Sequence, residues 1–212
     1  MVALPFRINN QMILGLNERS HSAVAAIDAS GAVLRYGELL SFSERIGSLL
    51  SARSLLFLLT ENNVGGIACS MGCINSGNVP LIWNAHIEEE LYHNLFEIYR
   101  PSYVCLPTRM ASALRYEIVC ECYGYTLLHT GMGPCTLHAD LSHLLPTSGS
   151  TGSPKLVRHK YGNIEAAALN ISTFFGLTSN DRPLLVLPLY YTMGLSVVFS
   201  HLYVGSTVLI TN

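Results

Sequence analysis

Apolar positions along this chain follow two alternating periodicities. Ala23 to Ile27 and Ala32 to Arg35 flank Asp28-Ala-Ser-Gly31, the pattern of two short strands joined by a turn. From Tyr36 the apolar residues fall at Leu39, Phe42, Ile46, Leu49 and Leu50, which is a helical stripe. Ser54 to Leu59 is a continuous apolar run stopped by Glu61-Asn62-Asn63, and it predicts a strand buried on both faces. Small residues dominate Val64 to Gly77, read as a tightly packed helix even though its glycines weaken helix propensity. Val79 to Trp83 is the next strand. A helix follows with the stripe Ile87, Leu91, Leu95 and Ile98, and Arg100-Pro101 ends it. Its first turn carries Glu88-Glu89-Glu90, a solvated acidic start favoured by the helix dipole over a metal site.

Further strands are predicted at Ser102 to Leu106, Thr126 to Leu128 and His143 to Leu145, with a shorter helix near Met110 to Glu117. After a loop at 147–154 come a strand from Lys155 to His159 and a helix. That helix sets Ile164, Ala167, Ala168, Ile171, Phe174 and Phe175 on one face. Leu184 to Leu187, a helix near Met193 to Tyr203, and Thr207 to Ile210 complete the pattern. Strands alternating with helices predict an α/β fold: a largely parallel sheet with flanking helices.

Composition narrows the function classes. Of 212 residues, 12% are charged and 50% hydrophobic, and the formal net charge is -2. A soluble domain usually carries about 25% charged residues, and disordered chains are poor in apolar ones. The mean hydropathy of +0.35 invites a membrane reading. No run reaches the roughly 18 uninterrupted apolar residues of a spanning helix, however. Gly194 to Ile210 comes nearest and is broken by Ser196, Ser200, His201, Gly205, Ser206 and Thr207. A pI near 6.4 offers no cationic surplus for nucleic acid. The start, MVALPFRINNQ, has no apolar core of signal-peptide length, so the cytoplasm is the expected compartment.

Six cysteines are scattered through the chain. Cys120-x-Cys122 with Cys135-x-x-His138 offers four soft ligands, but the first spacing is not that of common zinc sites. Small core residues on paired strands are the competing and preferred reading.

Chemistry concentrates in Thr147-Ser148-Gly149-Ser150-Thr151-Gly152-Ser153-Pro154-Lys155. Glycines let successive backbone N–H groups converge on an anion, hydroxyls add donors, and lysine supplies a point charge suited to phosphate. A strand leads into the loop, so it should lie at a strand's carboxyl end, where open α/β sheets bind ligands. The hydroxyls of Ser148, Ser150 and Thr151 are then expected to face an exposed concavity. A flexible Ser/Gly connection has similar composition. The spacing is not that of a Walker A loop, which needs four residues between its glycines and a closing Gly-Lys-Ser/Thr. It is not GxGxxG either.

The order TSGSTGSPK resembles the phosphate-loop signature of the adenylate-forming (AMP-binding) superfamily, which includes acyl-CoA synthetases and peptide-synthetase adenylation domains. Asp140-Leu141-Ser142 is similar to the family's acidic lead-in, and His159 to Asn163 loosely matches its following segment. Leu187-Pro188-Leu189-Tyr190-Tyr191-Thr192-Met193-Gly194 resembles its Pro-Leu-Phe-His-x-x-Gly motif. Gly205-Ser206-Thr207-Val208, Leu34-Arg35-Tyr36-Gly37-Glu38-Leu39 and Gly77-Asn78-Val79-Pro80-Leu81 are similar to further family segments. The likeness runs from about Ala23 to Asn212 and is very specific only in the phosphate loop.

The resemblance implies a two-step reaction in which ATP activates a carboxylic acid as an acyl-adenylate and a thiol, that of coenzyme A or a carrier protein, displaces AMP. It places Thr147, Ser148, Gly149, Ser150, Thr151, Gly152 and Lys155 on the β- and γ-phosphates, with Mg2+ sharing the charge. Tyr191, Met193 and Gly194 would border the acyl pocket. Tyr191 stands where the family often has His. No Asp stands at 191 or 192 to meet a substrate ammonium, so a non-amino acid is favoured, as in fatty acid metabolism.

The family's aromatic-Gly-x-Thr-Glu motif, its ribose-binding Asp and its C-terminal catalytic Lys would lie beyond Asn212. Residues 1–212 are therefore expected to be the N-terminal portion of an AMP-binding domain, inactive alone and prone to self-association. A complete protein that dimerises through its apolar surface is the alternative. Another phosphate-loop enzyme and a non-catalytic domain of the same fold also stay open.

Overall fold

The computed structural model describes residues 12–50, 52–147 and 155–211. Two sheets stack with helices between them. The first is four-stranded. Strands β1 (Val24–Asp28) and β2 (Val33–Arg35) form the expected hairpin, and helix α1 (Tyr36–Leu49) follows directly. Near the end of the described chain, β10 (Leu184–Leu185) and β11 (Val208–Ile210) join it, giving the order β10-β11-β1-β2. Tyr36 fastens this assembly: its hydroxyl donates to the Ser206 carbonyl at 2.8 Å.

The second sheet holds seven strands. The Leu-rich run forms β3 (Leu55–Thr60), buried at every position as its pattern predicts. Because strand side chains alternate, Leu56 and Leu58 enter one apolar cluster while Leu55, Phe57 and Leu59 enter another. The first cluster fills the layer shared by both sheets, with α1, α2 (Val64–Asn75), α5 (Tyr161–Phe175) and α6 (Thr192–Val204). The second packs α3 (Glu89–Tyr99) on the opposite face through Tyr92, Leu95 and Phe96.

Every residue of α2 is buried. Its glycines answer a packing need: a Cβ on Gly72 would sit 2.7 Å from the Phe42 ring of α1. Asn63 caps the helix, its Oδ1 accepting from the Gly66 N–H at 2.8 Å.

The remaining strands are β4 (Val79–Asn84), β5 (Tyr103–Pro107), β6 (Glu117–Cys122), β7 (Tyr125–His129), β8 (Leu141–Pro146) and β9 (Leu156–Lys160). Their order is β6-β7-β5-β3-β4-β8-β9. The centre, β5-β3-β4-β8, is parallel; at the margins β7 pairs antiparallel with β5, β6 antiparallel with β7, and β9 antiparallel with β8, so the sheet is mixed.

Four expectations are corrected. The helix read near Met110 to Glu117 is a single turn, α4 (Thr108–Ala111), and Glu117–Cys122 is instead a strand paired with β7. Cys120 is buried there and Cys122 half-buried, whereas Cys135 is exposed in a loop away from paired strands. On α5 the buried stripe is Tyr161, Ile164, Ala168 and Ser172, leaving Phe174 and Phe175 82% and 69% exposed. The strand read at Leu184 to Leu187 covers two residues only; Leu184 and Val186 are exposed.

A short 3-10 helix, Ile13–Glu18, was not anticipated. Among the described residues no helix is long and apolar enough to cross a membrane.

Candidate functional site

The chain leaves β3 through α2 on one face of the large sheet, and leaves β4 through α3 on the other. Since β3 and β4 are neighbours, their carboxyl ends feed loops that diverge, which opens a crevice at the switch point of the sheet. The crevice encloses about 450 Å³ and is lined by Thr60, Glu61, Asn62 and Asn63 after β3, Asn84 and His86 after β4, and Pro188 and Tyr190.

Glu61 organises the polar wall. Arg109 approaches it as a fork, Nη1 donating to Oε2 at 3.0 Å and Nη2 to Oε1. The His86 Nε2 lies 3.5 Å from the same Oε1. The Glu61 N–H donates to the Tyr125 hydroxyl at 3.0 Å, fixing the loop from below. Hydrogen bonding to Glu61 raises the affinity of the Arg109 guanidinium for its proton further above its ordinary value. Burial, and then the adjacent Tyr191, push the Tyr190 phenol up, so it stays a neutral donor and acceptor at the crevice wall.

Asn62 joins the crevice to the second motif. Its Nδ2 donates to the Leu187 carbonyl and its Oδ1 accepts from the Leu189 N–H, both at 3.1 Å. The motif then turns into α6, and Gly194 must be glycine there because a Cβ would run into the Pro188 carbonyl. Tyr191 and Met193 are 48% and 65% exposed, and it is Tyr190 that faces the crevice.

The Gly- and hydroxyl-rich segment 147–155 joins β8 to β9, which pair as a hairpin. Leu144 of β8 pairs with Leu81 of β4, so the loop leaves the carboxyl end of a strand beside the crevice. At its mouth the Thr147 N–H donates to the Lys155 carbonyl at 2.9 Å. Ser148, Gly149, Ser150, Thr151 and Gly152, and with them the expected direction of the hydroxyls, lie outside the described residues. Lys155 is exposed at the start of the return strand.

Sequence reasoning brought out the two ends of the loop and the Leu187–Gly194 motif. It missed Asn62, Asn84, His86 and Tyr190 as crevice residues, since only strand order reveals that β3 and β4 are adjacent and diverge. Among the described residues, no group of three or more His, Cys, Asp or Glu is placed to hold a metal ion.

A switch-point crevice beside the stem of a Gly- and hydroxyl-rich loop is the arrangement of an α/β ligand-binding enzyme. The sequence pattern of the family described as AMP-binding enzyme matches residues 16–212, and the chain belongs to that family. It is 40% identical over 67 residues to a 2-succinylbenzoate–CoA ligase of Bacillus subtilis, covering 32% of this chain and 14% of the ligase.

Two crystal structures share the fold. One is a nonribosomal peptide synthetase, with TM-score 0.74 and 21% identity over 94% of this chain and 22% of the synthetase. The other is O-succinylbenzoate coenzyme A synthetase from Bacillus subtilis in complex with ATP and magnesium ion. There the TM-score is 0.71 and the identity 21%, over 94% of this chain and 57% of that one. In each comparison the chain spans less than two thirds of its relative's length.

Proposed function

We propose that this chain is part of an ATP-dependent ligase that activates a non-amino carboxylic acid and passes the acyl group to the thiol of coenzyme A. In the first step the carboxylate oxygen attacks the α-phosphorus of ATP, the bond to the bridging oxygen breaks, and acyl-adenylate and pyrophosphate form. In the second, the thiol sulfur adds to the acyl carbon, the thiol proton is released, and AMP departs.

The observation that carries this reading is the closure of the TSGSTGSPK loop by Thr147 and Lys155 at the carboxyl end of β8, beside the crevice. The loop's N–H groups and hydroxyls, with the Lys155 ammonium, would neutralise charge growing on the departing pyrophosphate. Such fixed donors act most strongly where charge develops. Mg2+ would supply further positive charge on those phosphates; among the described residues no three His, Cys, Asp or Glu side chains are grouped to hold a metal ion. The exposed Tyr191 and Met193, with Gly194 at the turn, would border the acyl group.

ATP–pyrophosphate exchange by the full-length protein across a panel of carboxylic acids tests the first step. Exchange with one non-amino acid is expected; exchange with amino acids alone, or with none, overturns the reading. The likeness to a nonribosomal peptide synthetase gives the second step a competing acceptor, a carrier-protein thiol. Thioester formation with free coenzyme A decides between them.

A further inference from the structure

The stem of the phosphate loop contains a pair of histidines that the ligase reading does not use. His143 of β8 and His159 of β9 are direct cross-strand partners, so their side chains share one face of the hairpin. Their rings stack, with centroids 4.4 Å apart and planes 6° from parallel. Phe199 of α6 meets His143 edge-on at 5.9 Å. A bulge between Leu141 and His143 brings Ser142 alongside, and its hydroxyl lies 2.9 Å both from the His143 Nδ1 and from the His159 carbonyl oxygen, to which it donates.

The stem is anchored through β8, whose Leu144 and Leu145 are buried in the two apolar clusters. One registered pair, Leu81 with Leu144, ties β8 to the rest of the sheet, and β9 is an edge strand. The imidazole stack links the two stem strands to each other, and the Phe199 contact links it to α6, beside Leu145 of β8, which shares the apolar cluster of Leu195, Val198 and Phe199. The amino end of α6 carries the Tyr191–Gly194 turn, and Phe199 lies two turns further along the same helix. We propose that the stacked His143–His159 pair is the positioning element of the phosphate-loop stem, holding Thr147 and Lys155 in register and fastening them to α6.

Both rings must be neutral for this arrangement. Burial drives the His143 imidazole well below its ordinary pKa, with His159 adding to the shift, and burial lowers His159 too. The groups facing the pair are Phe199 from α6 and the Ser142 hydroxyl from β8, neither of them a carboxylate that could compensate a positive ring. The stem's charged groups are exposed Lys155 at the loop mouth, exposed Arg158 next to His159 on β9, and Lys160, 3.8 Å from Asp140, while Arg53 donates to the Leu141 carbonyl. The His159 Nε2 is buried with no partner. A proton on either ring would put an uncompensated cation against its neighbour. Because the folded state resists that proton, bracing is complete above an ordinary histidine's pKa of about 6.5 and is lost as pH falls below it.

The test compares wild type, a Phe variant with both rings replaced (His143→Phe with His159→Phe) and His159→Ala in the full-length protein. Amide hydrogen exchange of residues 155–160, corrected for intrinsic rates, is measured at about pH 7.5 and about pH 5.5, with the ATP dissociation constant taken by calorimetry in parallel. In wild type, both the exchange rate and the ATP dissociation constant are expected to rise about 3- to 10-fold on acidification. The Phe variant keeps a stacked pair in which neither ring can titrate, so both quantities should stay within about two-fold. The Ala variant, lacking the ring, should show the loosened values already at neutral pH.

A Phe variant that loosens with acid as wild type does overturns the proposal. So does an Ala variant indistinguishable from wild type, or a stem that loosens without change in ATP affinity. The proposal rests on the ATP-binding part of the ligase reading but not on the later chemistry. Stem and ATP binding behaving as expected, without pyrophosphate exchange for any acid, would support the brace and overturn the ligase reading alone.

Discussion

Asn62 grips the backbone on both sides of Pro188, donating to the Leu187 carbonyl and accepting from the Leu189 N–H, so the crevice and the second motif move as one piece. Asn62→Ala removes both bonds, each contributing about 1 kcal/mol on average. A loss of roughly 2 kcal/mol in stability is expected by denaturant titration, with acid turnover falling more than this loss alone accounts for. Unchanged midpoints would show that the segment 187–189 is held by its apolar neighbours.

Lys155 stands at the loop's mouth with its carbonyl engaged by Thr147 and its side chain exposed. If its ammonium neutralises the departing pyrophosphate, Lys155→Ala should lower kcat/KM for ATP by about 10- to 1000-fold, some 1.4–4 kcal/mol of transition-state stabilisation. Steady-state kinetics in the full-length protein decide, and unaltered ATP kinetics would make Lys155 a strand-start residue with a solvated stem.

Gly194 packs against the Pro188 carbonyl so closely that any Cβ forces the turn open. Gly194→Ala should therefore cost about 1–3 kcal/mol, the usual range for overpacking. A lowered thermal midpoint is the readout. Restoration by a second change in the 187–189 segment would confirm the collision.

Asp28 ends β1 and reaches α2 as well, its Oδ2 accepting from the Val64 N–H at 3.0 Å. Burial pushes its carboxyl up, but hydrogen bonds from Ser30, Val64 and Ala32 outweigh that and hold it below 3.8. The unfolded chain takes up the proton first as pH falls. The stabilisation is thus complete above the ordinary value and disappears as pH drops through the folded one. Asp28→Asn should flatten that acid limb in a stability–pH profile while lowering stability at neutral pH.

Phe174, Phe175, Leu184, Val186 and Met193 are each at least 60% exposed or nearly so, the lowest being Val186 at 59%. Apolar surface of that extent seeks a cover. Residues 1–212 produced alone should self-associate at micromolar concentration. Sedimentation as a 23.2 kDa species would count against it.

Where local pattern decides structure, the sequence was legible. The run Leu55–Leu59 announced a strand covered on both faces because no polar side chain interrupts it. Strand β6 escaped because Ile118 and Val119 are adjacent apolar residues rather than alternating ones, and its pairing with β7 carries a register shift between Ile118 and Cys120. The crevice escaped for a different reason. Glu61, Asn62, Asn84 and His86 are unremarkable loop residues until β3 and β4 lie side by side, and adjacency is a property of the whole sheet. His143 and His159 likewise became a pair only once β8 and β9 proved antiparallel.

The distribution of thiols gives the protein a built-in reporter of its own integrity. Cys135 is exposed and Cys122 half-buried, while Cys69, Cys73, Cys105 and Cys120 lie inside. A colorimetric thiol reagent added to the native protein would meet Cys135 at once and Cys122 more slowly. The other four become available only when the layer between the sheets opens. The slow phase of labelling therefore measures the opening rate of the interior without any engineered probe. Following it with and without ATP would show whether ATP tightens the helices between the sheets.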